Sequence, residues 1–254
     1  MIKVLTKTFA ILEYIVQASP LPVSLDRLSK ELALNKATCS RIIGDLVAAG
    51  YIVQISRHEG YTAGVRAFAF SRQVVYKNDF VKEAETIIKA CAAEIGESVL
   101  MAERHNLQRY ILCHYNYNPS MNVSINQLAY DDLYDTATGI ILLAYAPEQT
   151  VDALVKKCGL PAAPLWQSVK IRSELDKCLA DIKKNAFFMY DGPRSNNLAI
   201  AAFPIFKNGC FVASVGVSVP REKFNGEHKT RVINKVKSAA KKISRAISRI
   251  DNIG

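Results

Sequence analysis

The chain is 254 residues long, half of it apolar, and carries 33 Lys and Arg against 23 Asp and Glu for a formal charge of +10. That apolar content supports a packed core and excludes a disordered chain, and the length suits two modest domains better than one. The excess positive charge sits at the ends: residues 1–78 hold ten Lys and Arg against five Asp and Glu, residues 79–220 thirteen against fifteen, and residues 221–254 ten against three. A basic end that also carries a docking motif points to a polyanionic partner, whereas a basic tail alone reads as a solvated face.

The opening MIKVLTKTFAILEYIVQ breaks its apolar residues with Lys3, Lys7 and Glu13, so it reads neither as a signal peptide nor as a spanning helix, and runs such as Ile140 to Ala146 are too short to cross a bilayer. A cytoplasmic protein with no membrane partner is expected. Six scattered cysteines without a Cys-x-x-Cys pair indicate buried free thiols rather than a zinc or redox site.

In chain order, Phe9, Leu12, Ile15 and Val16 recur at helical spacing until SPLP at 19–22 stops the helix. Ser24 is placed to cap a second helix with Leu25, Leu28 and Leu32 on its apolar side. After a turn at Leu34-Asn35, a third helix runs from about Lys36 to Ala49, with Gly50 at the left-handed position that ends it. The segment from Tyr51 to Ile55 alternates as a strand, SRHEG makes a charged tip, and Tyr61 to Gly64 returns. Three helices and a two-stranded wing form the plan of a winged helix-turn-helix, and residues 65–75 add a connecting helix.

Beyond about residue 79 the pattern is mixed. Helices are expected at 80–95, 138–145, 148–158 and 169–184, and strands at 98–103, 109–115, 121–125, 187–190, 199–206 and 211–219. Asn208-Gly209 is a two-residue hairpin signal between the last two strands. A long last helix carries its apolar seam on Val232, Val236, Ala239, Ile243, Ile247 and Ile250, with lysines and arginines between.

The third helix packs five hydrogen-bonding side chains, Asn35, Lys36, Thr38, Ser40 and Arg41, into its leading seven positions. Capping accounts for one or two of them but not for Lys36 and Arg41 together. The second helix of a helix-turn-helix lies in the major groove, where Arg41 can fork onto guanine or phosphate, Lys36 supplies a phosphate charge, and Ala37, Thr38 and Ser40 are small enough for close approach. Arg57 and His58 on the wing tip belong to the same candidate surface. A winged helix that contacts protein is the competing reading.

On the strand FVASVGVSV, parity puts Phe211, Ala213, Val215, Val217 and Val219 on one face and Val212, Ser214, Gly216 and Ser218 on the other. The second face thins to small residues, which leaves room for a ligand or for a close-packed helix. Catalysis is not indicated. The four histidines show no metal spacing, no phosphate loop or nucleophile elbow is present, and Cys113 and His114 would point to opposite faces of a strand. A small-molecule hydrolase is therefore the most distant alternative, and no cofactor or metal is expected.

The stretch LDRLSKELALNKATCSRIIGDLVAAGYI, followed by Tyr61 to Gly64, resembles the N-terminal domain of the IclR family of transcriptional regulators. Lys36, Thr38, Arg41, Leu46, Gly50 and Tyr51 match its pattern, while Ala37 and Asn35 replace its usual small hydroxyl and proline. Tyr134 to Ala144 is similar to a second family segment, and Ala199 to Ile205 with Ser218 to Pro220 to a third, in the expected order. The resemblance implies an α+β chain: a winged helix-turn-helix DNA-binding domain with linker helix at 1–78, joined to a GAF-like effector-binding and oligomerisation domain with an antiparallel sheet at 79–254.

By that resemblance the function is a sequence-specific DNA-binding regulator, expected to be a repressor, whose DNA affinity answers to a small-molecule effector. Its partners would be a palindromic double-stranded operator, an effector among the carboxylates, and further copies of itself as a dimer or tetramer. Carried over, the effector-facing positions fall on Ala137, Thr138, Ile200, Gly216 and Ser218, with an acidic position at or next to Asp191. Gly216 stands where serine is frequent and Ile200 where some members are polar, which implies a different or more apolar ligand than the small keto acids.

Overall fold

Two helix starts in the first eighty residues follow local capping chemistry. The structure is a computed structural model that describes residues 2–73, 78–121, 125, 127–166, 169–193 and 196–250. In it Lys3–Ala18 forms α1, Leu25–Glu31 α2 and Lys36–Ala48 α3. The Ser24 side chain accepts from the Arg27 amide at 3.3 Å, and the Asn35 side chain accepts from the Ala37 amide at 2.9 Å, each satisfying a first-turn donor that the helix cannot pair. Gly50 has φ 78° where the left-handed terminator is expected.

Strands β1 (Ile52–Ser56) and β2 (Gly60–Ala63) form the antiparallel wing, and α4 (Val65–Gln73) follows. Val23 exchanges backbone hydrogen bonds with Tyr61 at 2.8 and 2.9 Å, which ties the segment before α2 to the wing. Gly60 is required there, because a Cβ on it would stand 2.3 Å from the Val23 carbonyl oxygen. Ile11, Ile15, Val23, Leu28, Cys39, Ile42, Ile43, Leu46 and Ile52 make a separate core for this unit. Phe9, expected on the core side of α1, is instead 58% exposed, because Ile11 and Ile15 take the inward positions. Together with Phe68 and Phe70 it lines an open apolar groove.

By its contacts the chain divides into two units, Met1–Tyr76 with Asn126–Leu128, and Lys77–Ile125 with Ala129–Gly254. The second is built on a five-stranded antiparallel sheet. Its strands are β3 (Ser98–His105), β4 (Gln108–Asn116), β5 (Phe188–Tyr190), β6 (Leu198–Lys207) and β7 (Cys210–Pro220), in the order β4-β3-β7-β6-β5. Helices α5 (Asn78–Ile95) and α9 (Gly226–Ile250) cover one face. On the other lie α6 (Ala137–Ala144), α7 (Glu148–Cys158) and α8 (Arg172–Asn185). All eight residues of α6 are buried, since it packs on the sheet and beneath α8.

The seam of α9 buries Val232, Val236, Ala239, Ile243 and Ile247 as expected, each larger side chain contributing roughly 1.5–3 kcal/mol; the side chain of Ile250 lies outside the described residues. Part of its basic face is engaged within the unit: Lys229 pairs with Asp191, Lys235 with Glu94, and Arg231 donates to the carbonyls of Glu94 and Ile95.

Four further sequence expectations change. Helix α8 starts at Arg172 rather than Val169, because the Glu174 carboxylate accepts from the amides of Lys170 and Ile171 and holds them ahead of the first turn. Of the strand expected at 121–125, Met121 and Ile125 lie in no strand, and 122–124 lie outside the described residues. Cys158 and Cys210 are exposed rather than buried. The parity of the last strand reverses at its start: a register shift between Ile205 and Phe206 leaves Val212 unpaired, so Phe211 stacks on Tyr145 at 4.4 Å on the α6 side while Val212 packs toward α5 and α9. From Ala213 onward the alternation is as expected.

Candidate functional site

Helix α3 is two-faced. Cys39, Ile42, Ile43 and Leu46 are buried, while Asn35, Lys36, Ala37, Ser40 and Arg41 are exposed and Thr38 is half-buried. The polar leading edge is therefore held outward by the apolar residues behind it. Arg57 and His58 are exposed in the turn between β1 and β2. Two of these side chains already have partners: the Asn35 oxygen caps α3, and the Lys36 ammonium pairs with Asp26 on α2, both side chains remaining largely exposed. An exposed edge of short polar residues with flexible cations is chemically suited to phosphates and base edges.

In the second unit a cavity of about 100 Å³ opens between the sheet and the start of α6. It brings together Ala137, Thr138, Ile200, Gly216 and Ser218, five of the six residues the resemblance assigns to the effector. The helix start is built by Thr136, whose hydroxyl oxygen accepts from the Gly139 amide at 3.1 Å and whose hydroxyl hydrogen reaches the Asp132 carbonyl at 3.3 Å. The amides of Ala137 and Thr138 belong to the first turn, ahead of the bond from the Ile140 amide to the Thr136 carbonyl.

The small residues of β7 serve packing and space at once. A Cβ on Gly216 would stand 2.6 Å from the Thr138 Cγ2, so glycine lets α6 approach the sheet. One pair of residues earlier, the buried Ser214 hydroxyl donates to the Thr138 carbonyl at 3.1 Å and fixes that approach. Toward Ser218 the gap is left open.

Asp191, the sixth expected residue, does not line the cavity. Its carboxylate accepts from the Lys229 ammonium at 2.5 Å and its carbonyl from Arg221 at 3.0 Å, and the Lys229 hydrogen bond holds its carboxyl below the usual range. The physical reason is local: a lysine on α9 claims the side chain.

Leu100, Arg109, Thr136, Asn196, Leu198 and Val217 complete the lining and were not singled out from the sequence. Thr136 carried a signal, since a threonine three residues before Gly139 has capping spacing. Arg109 carried none. His114, on the same face of the sheet as Leu100, bonds to the buried Ser98 hydroxyl at 2.9 Å, and burial holds the imidazole below its ordinary pKa. Among the described residues no group of His, Cys, Asp and Glu has metal-binding geometry, and no helix is long and apolar enough to cross a membrane.

Residues 72–245 match the family model described as the C-terminal domain of the bacterial transcriptional regulator IclR, and residues 4–56 match the IclR helix-turn-helix domain. Among curated proteins the chain is similar to the HTH-type transcriptional regulator KdgR of Escherichia coli (strain K12), at 20% identity over 241 residues, covering 94% of this chain and 90% of that protein. It is also similar to the transcriptional repressor IclR of the same strain, at 22% over 248 residues, 95% and 89% of the two chains.

Among solved structures, the IclR of Thermotoga maritima aligns with a TM-score of 0.68 at 23% identity over 98% of this chain and all of that one. An IclR homolog from Microbacterium hydrocarbonoxydans complexed with 4-hydroxybenzoate aligns with a TM-score of 0.74 at 14% identity, 96% and 98% of the chains. At these identities the structural likeness speaks for the fold.

Proposed function

Because this chain belongs to the IclR family of bacterial transcriptional regulators, we propose that it represses transcription by seating α3 in the major groove of a palindromic operator, and that a small molecule bound beside α6 changes its affinity for that site. Asn35, Lys36, Ala37, Thr38, Ser40 and Arg41 on the helix and Arg57 and His58 on the wing are the DNA-facing residues. The observation that carries this reading is the division of α3 into a buried apolar side and an exposed polar leading edge. The sign of regulation is supported by the relative named as a repressor.

A palindrome needs a two-fold partner. The exposed groove lined by Phe9, Phe68 and Phe70 favours self-association as a dimer, or as a dimer of dimers, because large apolar side chains at 58–63% exposure gain from being covered. The cytoplasm is where such a regulator meets its operator.

The effector reading draws on the meeting of Ala137, Thr138, Ile200, Gly216 and Ser218 around one cavity, and on the neighbour solved with 4-hydroxybenzoate. A ligand acts on DNA affinity only through a difference in its own affinity for the DNA-binding and released states. The test is a gel shift of the full chain on its own upstream DNA, with and without a panel of small organic acids. Specific retardation that one acid alters in a saturable way is expected, and Ser218→Ala should move that dose response while leaving ligand-free DNA binding intact. Loss of sequence preference altogether would favour a protein-contact role for the wing.

A further inference from the structure

The cavity wall contains a cation that the chain does not fully use. Arg109, on β4, is 4% exposed. Its Nε donates to Asp132 Oδ1 at 2.7 Å and its Nη2 to Asp132 Oδ2 at 2.5 Å, and its Cζ lies 5.0 Å from the Tyr130 ring centroid. The third donor group, Nη1, is buried and has no hydrogen-bond partner; among the described residues it is the one such buried side-chain nitrogen or oxygen.

Burying a donor without an acceptor costs about 1–3 kcal/mol, more on a charged group, and native chains avoid it almost everywhere. Arginine cannot relieve the cost by losing its proton. The bidentate bond to Asp132 fixes the guanidinium plane, so Nη1 cannot swing away to solvent. Arg109 is also part of the cavity wall, so a ligand seated against that side chain could bring the idle donor an acceptor.

We propose that Arg109 is the residue that selects the effector, its Nη1 donating to an oxyanion of a small monocarboxylate while the amides of Ala137 and Thr138 receive the same anionic group from the helix side. This rests on the effector reading above, its carboxylate class included, and adds the ligand's size and its anchor. The Arg109–Asp132 pair is neutral as a whole, so the preference for an anion comes from charge-assisted donation and from the α6 terminus rather than from excess local charge. Leu100, Leu198, Ile200 and Val217 supply an apolar remainder. A volume of about 100 Å³, well under the ~300–1,000 Å³ of drug-sized pockets, limits the ligand to a short apolar body behind its carboxylate.

Asp132 acts as a positioning residue. Its carboxylate orients Arg109, and its carbonyl accepts from Thr136 Oγ1 at 3.3 Å and from the Asp135 amide at 3.0 Å. The anchor on β4 and the start of α6 are thereby held to one short segment, and a ligand touching both would bridge the same two elements.

The test is titration calorimetry of the full chain, in a buffer free of carboxylates, with acetate, butyrate and benzoate and with the primary amide of each. At least one acid is expected to bind about 10–100-fold more tightly than its amide, the range of one charge-assisted hydrogen bond. Arg109→Met should bring the acid down to the level of the amide and leave the amide largely unchanged, and Arg109→Lys should restore part of the preference.

Should Arg109→Met fail to fold with Asp132 left unpaired, the double variant Arg109→Met/Asp132→Leu removes both partners and reads the same ratio. Equal binding of acid and amide by the wild type, or equal loss of both in the variant, would overturn the selecting role and leave the cavity as an effector site. Amide binding without acid binding would overturn the anion and not the cavity. No binding by any of the six would overturn this inference, while the operator response to the wider panel decides the effector reading separately.

Discussion

Gly216 on β7 and Thr138 on α6 are in contact so close that a methyl group on the glycine would meet the Thr138 Cγ2 at 2.6 Å and the Ala201 carbonyl oxygen at 3.2 Å. Thr138 is buried and β-branched, so it has few rotamers to retreat into. Gly216→Ala should therefore destabilise the second unit by about 1–3 kcal/mol through overpacking. Urea unfolding measures this, and an unchanged midpoint would mean that α6 can move off the sheet at no cost. Gly216→Ser, which restores the residue frequent in the family pattern, is expected to fare no better here.

On α3 the exposed cations are not equivalent. Lys36 is paired with Asp26, and Arg41 is exposed on the next turn. Arg41→Ala should cost about 1–3 kcal/mol in operator binding and relax preference at one base pair if the guanidinium forks onto guanine. Asp26→Asn releases Lys36 from an exposed pair worth at most about 1 kcal/mol, so it should tighten DNA binding and steepen its dependence on salt. Fluorescence anisotropy across a salt series reads both effects. Equal losses on specific and random duplexes in the Arg41 variant would make that residue a phosphate contact only.

Asp191 gives a prediction of the opposite kind. Its carboxylate is held by Lys229 outside the cavity lining, so Asp191→Asn should leave ligand response intact. Both side chains are partly exposed, and the pair should contribute no more than about 1 kcal/mol at neutral pH. Because Lys229 lowers the carboxyl's folded pKa, that contribution is present above the ordinary carboxylate value and is lost as pH falls through the folded one. Acid unfolding of wild type and variant should converge at low pH. A variant with an altered ligand dose response would return Asp191 to the site.

The elements that could be read from the sequence are those with local punctuation. Ser24, Asn35 and Gly50 bound the helices of the first unit where capping chemistry puts them. Asn208-Gly209 turns β6 into β7 with both residues at positive φ. Features set by tertiary pairing were not legible. The bulge at Val212 inverts the phase of Phe211, and nothing in an alternating apolar run marks it. Arg109 acquires its role only because β4 bonds to Tyr130 and so reaches Asp132, 23 positions along the chain. A lone arginine in a strand has no local signature. Asp191 lies outside the cavity lining for a related reason, since a family pattern does not reveal which lysine a carboxylate will meet.

The thiols supply a prediction with a defined pH sign. Burial, with Glu85 nearby, pushes the Cys113 thiol from an ordinary 9.0 up to about 12, and burial, with Glu94 nearby, pushes Cys91 up to about 11. The thiolate is the reactive species, so near neutral pH a thiol reagent should modify the exposed Cys158 and Cys210 first and reach Cys91 and Cys113 only on unfolding. Between the ordinary and the raised pKa the folded chain keeps protons that the unfolded chain releases. Stability is then fully present below about pH 9 and declines as pH rises above it. Urea midpoints measured on either side of that value should fall with pH, and Cys113→Ala should flatten the decline even though it loses core packing. A wild-type midpoint that holds steady into the alkaline range would show that Cys113 ionises in the folded state as readily as in water.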